Sequence, residues 1–146
     1  MDIITIFACV IAAIGFIIGR FIRKLGKEEI KPGKNILKLI QNLIFGIILI
    51  FLFITFNLGL ILSIAIALLF TIYAYYKIKQ NKKISLIVLS AAIATTFRTE
   101  FFIYTSGTSF IYTLIRGIRT KEWKTAIKNA AFVLILSLIL IYLRLL

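Results

Sequence analysis

Residues 84–119 read ISLIVLSAAIATTFRTEFFIYTSGTSFIYTLIRGIR, and the length of this stretch decides how the chain folds. It is apolar at both ends, carries Arg98 and Glu100 near its middle, and is flanked by lysine- and arginine-rich segments at 77–83 and 116–128. If both segments lie on one side of a membrane, the stretch must enter the bilayer and return. One helical crossing takes about 20 apolar residues, so a complete excursion takes roughly twice that plus a turn. Only 32 residues, 84–115, lie between the flanking charges. Polar groups are therefore expected at unusual depth.

Composition requires a membrane. The chain is 62% hydrophobic, with one Pro, no His and a net charge of +13 over 146 residues. A soluble domain of that size has too little interior for so much Ile, Leu and Phe. Residues 39–76 contain no charge at all, and as one helix would measure about 57 Å, twice the hydrocarbon core. Asn57 and Gly59 lie near its midpoint, so the spacing predicts a hairpin turning there. Transmembrane β-strands alternate polar and apolar residues; these runs are apolar on every face.

The expected fold is thus all-α: a single polytopic membrane domain of five or six transmembrane helices, with one short, broken or re-entrant hairpin at 84–119. Spans are predicted at about 3–19, 39–56, 59–76, 84–104, 109–119 (the short one) and 128–146. Sixteen of the eighteen Lys and Arg fall within 20–38, 77–83 and 116–128. These are read as inside loops by the positive-inside rule, which puts both termini outside. That placement argues against nucleic acid as the partner. Asp2 precedes the first apolar run while Arg20, Arg23 and Lys24 follow it, the reverse of a signal peptide, so an uncleaved helix is expected. The setting fits the cytoplasmic membrane of a prokaryote. One thiol, Cys9, and no His leave no metal-ligand set and nothing that calls for a cofactor.

Two stripes of small residues recur at helical spacing. Ala8, Ala12, Gly15 and Gly19 line one face of the first span, with Gly15 and Gly19 forming a GxxxG pair that admits close backbone approach. Gly59, Ser63, Ala67 and Thr71 do the same on the third. Either stripe can pack against this chain's own helices or against a second copy. In the first inside loop, Arg20, Arg23, Lys24, Lys27, Lys31 and Lys34 suit anionic lipid headgroups, each contributing around 1 kcal/mol near a charged surface.

The polar centre admits two geometries. The hairpin can turn at Arg98-Thr99-Glu100, leaving short arms. Alternatively, a full helix runs to about Tyr104 and turns at Thr105-Ser106-Gly107-Thr108-Ser109, which turn chemistry favours because Gly and Ser break helices and Ser109 can cap the next helix. In either case Arg98 and Glu100 are expected to be more than lipid-facing side chains, since a central Arg costs on the order of 3 kcal/mol on insertion. On a continuous helix Arg98 shares a face with Thr95 and Thr105, and Glu100 with Thr96 and Tyr104. The expected working centre comprises these residues together with Ser106, Gly107, Thr108 and Ser109.

Three functions suit such a chain. The first is a homo-oligomeric transporter or channel for a small ion or solute, using this centre. The second is a non-catalytic subunit or assembly factor of a larger membrane complex, with itself or another membrane subunit as partner. The third is a lipid-modifying enzyme at the inner face using Glu28, Glu29 or Glu122, although without His or paired carboxylates there is little for general acid–base chemistry.

Overall fold

The computed structural model describes residues 3–26, 30, 32–77 and 82–146, with side chains at all of these except 34, 73–77, 82 and 83. Inside lipid every backbone N–H and C=O must find a partner within its own segment, and a helix achieves this. Each apolar run accordingly forms one. The order is α1 (Ile3–Leu25), α2 (Lys34–Thr55), α3 (Leu60–Lys77), α4 (Lys82–Thr96), α5 (Phe102–Arg119) and α6 (Trp123–Leu145); no strand occurs among the described residues. Three helices, Ile3–Leu25, Asn35–Thr55 and Trp123–Leu145, are long and apolar enough to cross a membrane. Large apolar side chains face outward on all six, with Ile61 85% and Ile103 75% exposed. Water would not tolerate such a surface; lipid would.

α1, α5, α2, α4 and α6 pack in a ring, with α4 also touching α5, and α3 lies outside, packed mainly on α2. The α2–α3 turn falls where Asn57 and Gly59 predict it. Asn57 takes φ 56°, a left-handed conformation that its short polar side chain tolerates well. Of the second small-residue stripe, Ser63 and Ala67 are buried, Thr71 lies against Gly46, and Gly59 sits in open space at the turn.

The first stripe builds the tightest contact in the protein. Gly15 and Gly19 of α1 meet α5, and Gly117 of α5 meets the backbone of Phe16 in return. A Cβ on Gly15 would lie 2.7 Å from the Phe110 carbonyl oxygen; one on Gly19 would lie 2.8 Å from the Ile118 nitrogen. Ala12 is buried on the same face, while Ala8 is half-buried. This close approach brings the Thr113 hydroxyl within 2.6 Å of the Ala12 carbonyl oxygen, to which it donates. Interhelical bonds of this kind contribute about 0.6–1.7 kcal/mol. Thr113→Val, which keeps the shape, is expected to lower unfolding free energy by about 1 kcal/mol, measured by denaturant titration in detergent micelles.

The α4–α5 connection corrects the sequence-based preference. The turn is at 97–101, not at 105–109, and the TSGTS segment lies within α5. The reason is that a turn at 105–109 would strand peptide groups deep among apolar helices, whereas a helix satisfies them. In lipid that requirement outweighs the weak helix propensities of Gly, Ser and Thr. The expected spans 84–104 and 109–119 become Lys82–Thr96 and Phe102–Arg119.

Candidate functional site

α5 is the polar helix of the bundle and the one packed against α1, α2 and α4 together. At its N-terminal end, the turn, the Thr99 hydroxyl donates to the Thr96 carbonyl at 2.6 Å, and Phe97 meets Phe102 edge-on at 5.8 Å, pinning the turn to the core. Arg98 and Glu100 project from it and are exposed. The burial expected for these two is therefore not found: charged side chains at a helix-breaking turn point away from the apolar interior, and the break removes the faces assigned to them on a continuous helix. Arg98 takes φ 64°, which costs a side chain of this kind on the order of 1–2 kcal/mol. Its guanidinium carbon lies 5.5 Å from the Phe97 ring centre.

Below the turn the predicted centre divides. Thr105, Ser106 and Ser109 are buried within the bundle, Thr108 is half-buried, and Tyr104 and Gly107 face outward. On α4, Thr96 is buried and Thr95 half-buried. Most hydroxyls in these helices donate back to a carbonyl one turn earlier. Thr95 donates to Ala91 at 2.9 Å, Thr96 to Ala92 at 2.8 Å, Thr108 to Tyr104 at 2.8 Å and Ser90 to Leu86 at 3.0 Å. Thr105, Ser106 and Ser109 depart from this pattern, as does Ser137 of α6: their hydroxyl oxygens are buried with no hydrogen-bond partner among the described residues. A buried polar group left unsatisfied costs about 1–3 kcal/mol. Three such groups within one and a half turns of one helix form a polar seam poised to receive partners.

The C-terminal end of α5 carries an arginine layer. Arg116 donates to the Ser85 hydroxyl, and to the Tyr112 hydroxyl at 3.3 Å. Arg119 donates to the amide oxygen of Gln41. Arg23 donates to the Ile118 and Arg119 carbonyl oxygens at 3.1 and 2.9 Å, closing the α5 C-terminus. Arg144 does the same for α4 at the opposite end, donating to the Ala94 oxygen at 3.0 Å and to that of Thr95. Cations at a helix C-terminus also oppose its negative dipole end. Between Phe102 and Arg116, α5 runs only about 21 Å against a hydrocarbon core of ~30 Å, so its two charged ends lie closer together than a bilayer's surfaces.

Ser137, Arg116 and Arg119 were not singled out from the sequence, whereas Arg23 was, as a headgroup residue. The signal for Ser137 was its being the one hydroxyl in an otherwise apolar stretch from Ala130 to Ile141. Lys27, Lys31, Glu28 and Glu29 and the side chain of Lys34 lie outside the described residues, as does most of the second inside loop. Among the described residues no three His, Cys, Asp or Glu come together as a metal-ion site. No known protein family, curated protein or solved structure matches the chain. The fold defines its class, a helical membrane protein.

Proposed function

We propose that the protein moves a small anion across the membrane along α5. The observation that carries this reading is the run of buried, partnerless hydroxyls at Thr105, Ser106 and Ser109. In a dry interior each would be a standing loss, and each can donate to a dehydrated anion. Arg98 stands at the outer mouth and Arg116 and Arg119 at the inner end, so positive charge marks both approaches. The left-handed backbone of Arg98 supports a role there, because strain kept where Gly would relieve it points to function. Glu100 tempers the outer charge and can act as counter-ion. The hydroxyls lie inside one chain's bundle, so the proposed route needs no second copy to wall it; identical copies would then be independent units.

The test is anion-dependent flux in vesicles containing only the purified protein. Chloride efflux above that of empty vesicles supports the proposal, with Arg98→Ala expected to reduce it several-fold. A second reading, a non-catalytic subunit, is favoured by α3, which packs mainly on α2 and leaves Leu60, Ile61 and Leu69 outward. Flux-inactive protein that co-purifies with a stoichiometric foreign membrane subunit after gentle extraction would favour that reading instead.

A further inference from the structure

At the C-terminal end of α5, away from the hydroxyl seam, the α1 C-terminus and the α5–α6 connection form an open cleft of about 430 Å³ lined by Arg20, Arg23, Lys24 and Lys121. The volume is that of a small-molecule site. No carboxylate lines it among the described residues, and the neighbouring Glu122 accepts from the Thr125 hydroxyl at 3.2 Å. Four cations line one cleft, and an anion bound there would offset their mutual repulsion.

The two arginines are fixed in advance. Arg23 is tied through one guanidinium nitrogen to the Ile118 and Arg119 carbonyls, leaving its other donors for a ligand. The Arg20 guanidinium lies 5.3 Å from the centre of the Trp123 ring, an attractive cation–π distance. Its Nε is buried with no acceptor among the described residues. With Nε inside the protein, the Arg20 donors that face an oxyanion in the cleft are its terminal N–H groups. The planar donor fork of Arg matches phosphate oxygens bidentately, and lysines add point charge. Tryptophan at a helix start is suited to headgroup depth.

We infer that this cleft binds a phosphomonoester group, whose charge of about −1.5 to −2 answers four cations better than the single charge of a phosphodiester. The site is independent of the transport proposal. It narrows the headgroup residues expected from sequence to Arg20, Arg23 and Lys24, and adds Lys121 and Trp123 from a different loop.

Trp123 is the chain's one tryptophan, so its fluorescence reports the site directly. Purified protein in dodecyl maltoside is titrated with short-chain phosphatidic acid, with inorganic phosphate, and with short-chain phosphatidylglycerol as the singly charged phosphodiester control. A saturable change with phosphatidic acid alone identifies a lipid headgroup as the source. A saturable change with inorganic phosphate as well identifies the free phosphate group as sufficient. Lys24 and Lys121 are exposed, so Lys24→Gln and Lys121→Gln leave the fold intact and are each expected to weaken binding roughly fivefold. Lys128→Gln, on α6 outside the cleft, is expected to change nothing. The proposal is overturned by no saturable response to either phosphate probe, by an equal response to phosphatidylglycerol, or by Lys128→Gln weakening binding as much as Lys121→Gln.

Discussion

Gly19→Leu is expected to separate α1 from α5 and to cost about 3 kcal/mol or more of unfolding free energy, at the upper end for overpacking. The obstacle is backbone, not a side chain that can swing away. A Cβ at Gly19 would overlap the Leu114 carbonyl oxygen and lie 2.9 Å from its carbon, so the helices must move apart. That movement would also break the bond from Thr113 to Ala12 and loosen the two carbonyls held by Arg23. Gly107→Ala is the matched control. Gly107 lies in the same helix pair with nothing within 4 Å of a built Cβ, so the added methyl should be neutral or stabilise by up to about 1 kcal/mol through helix propensity. Unfolding titrations in mixed dodecyl maltoside and SDS micelles read both. Equal stability of the two variants would mean that the glycine seam is not the contact holding α1 to α5.

The second large effect is on flux, and its sign is opposite to the effect on stability. Ser106→Ala combined with Ser109→Ala removes two buried hydroxyls that have no partner, so stability should hold or rise by about 1 kcal/mol. A hydrogen bond to a charged group contributes about 1.5–3 kcal/mol. Losing two from a permeating anion should slow transport at least tenfold, since each 1.36 kcal/mol of barrier is a factor of ten. Stability gained as activity falls is the mark of a working site. If the double variant transports as well as the original protein, the hydroxyls are not on the route.

The sequence carried the helical class, the Asn57 turn and the close-packing face of Gly15 and Gly19 because each rests on local pattern. Apolar runs longer than a bilayer demand a turn, Asn accepts a left-handed backbone, and small residues four apart share a helix face. The partner that the Gly15 and Gly19 stripe would meet was not legible, because that depends on α5, some 95 residues away, presenting Thr113 and Gly117 to it. The α4–α5 turn was misplaced for a different reason. Rules learned from turns in water rank Thr-Ser-Gly-Thr-Ser above Arg-Thr-Glu, yet in apolar surroundings the penalty for open peptide groups reverses the order. The candidate centre shifted with it. Arg98 and Glu100 moved to the rim, Gly107 and Tyr104 turned outward, and Thr105, Ser106 and Ser109 kept the interior. The cleft beside Trp123 was beyond reach, since it joins Arg20 to Lys121 across about 100 residues of chain.

The central claim, that the inward face of α5 lines the anion's route and its outward face meets lipid, is tested most directly by single cysteines in a Cys9→Ser background. Ser106→Cys and Ser109→Cys lie on the buried face; Ile103→Cys, Gly107→Cys and Ile111→Cys lie on the exposed one. A charged, water-borne methanethiosulfonate reagent reacts with thiolates, which form only where water reaches. In intact vesicles, labelling at 106 and 109 with none at 103, 107 and 111 is the predicted result. Labelling at 103, 107 and 111 while 106 and 109 stay inert would contradict it, and α5 would then be a dry packing helix.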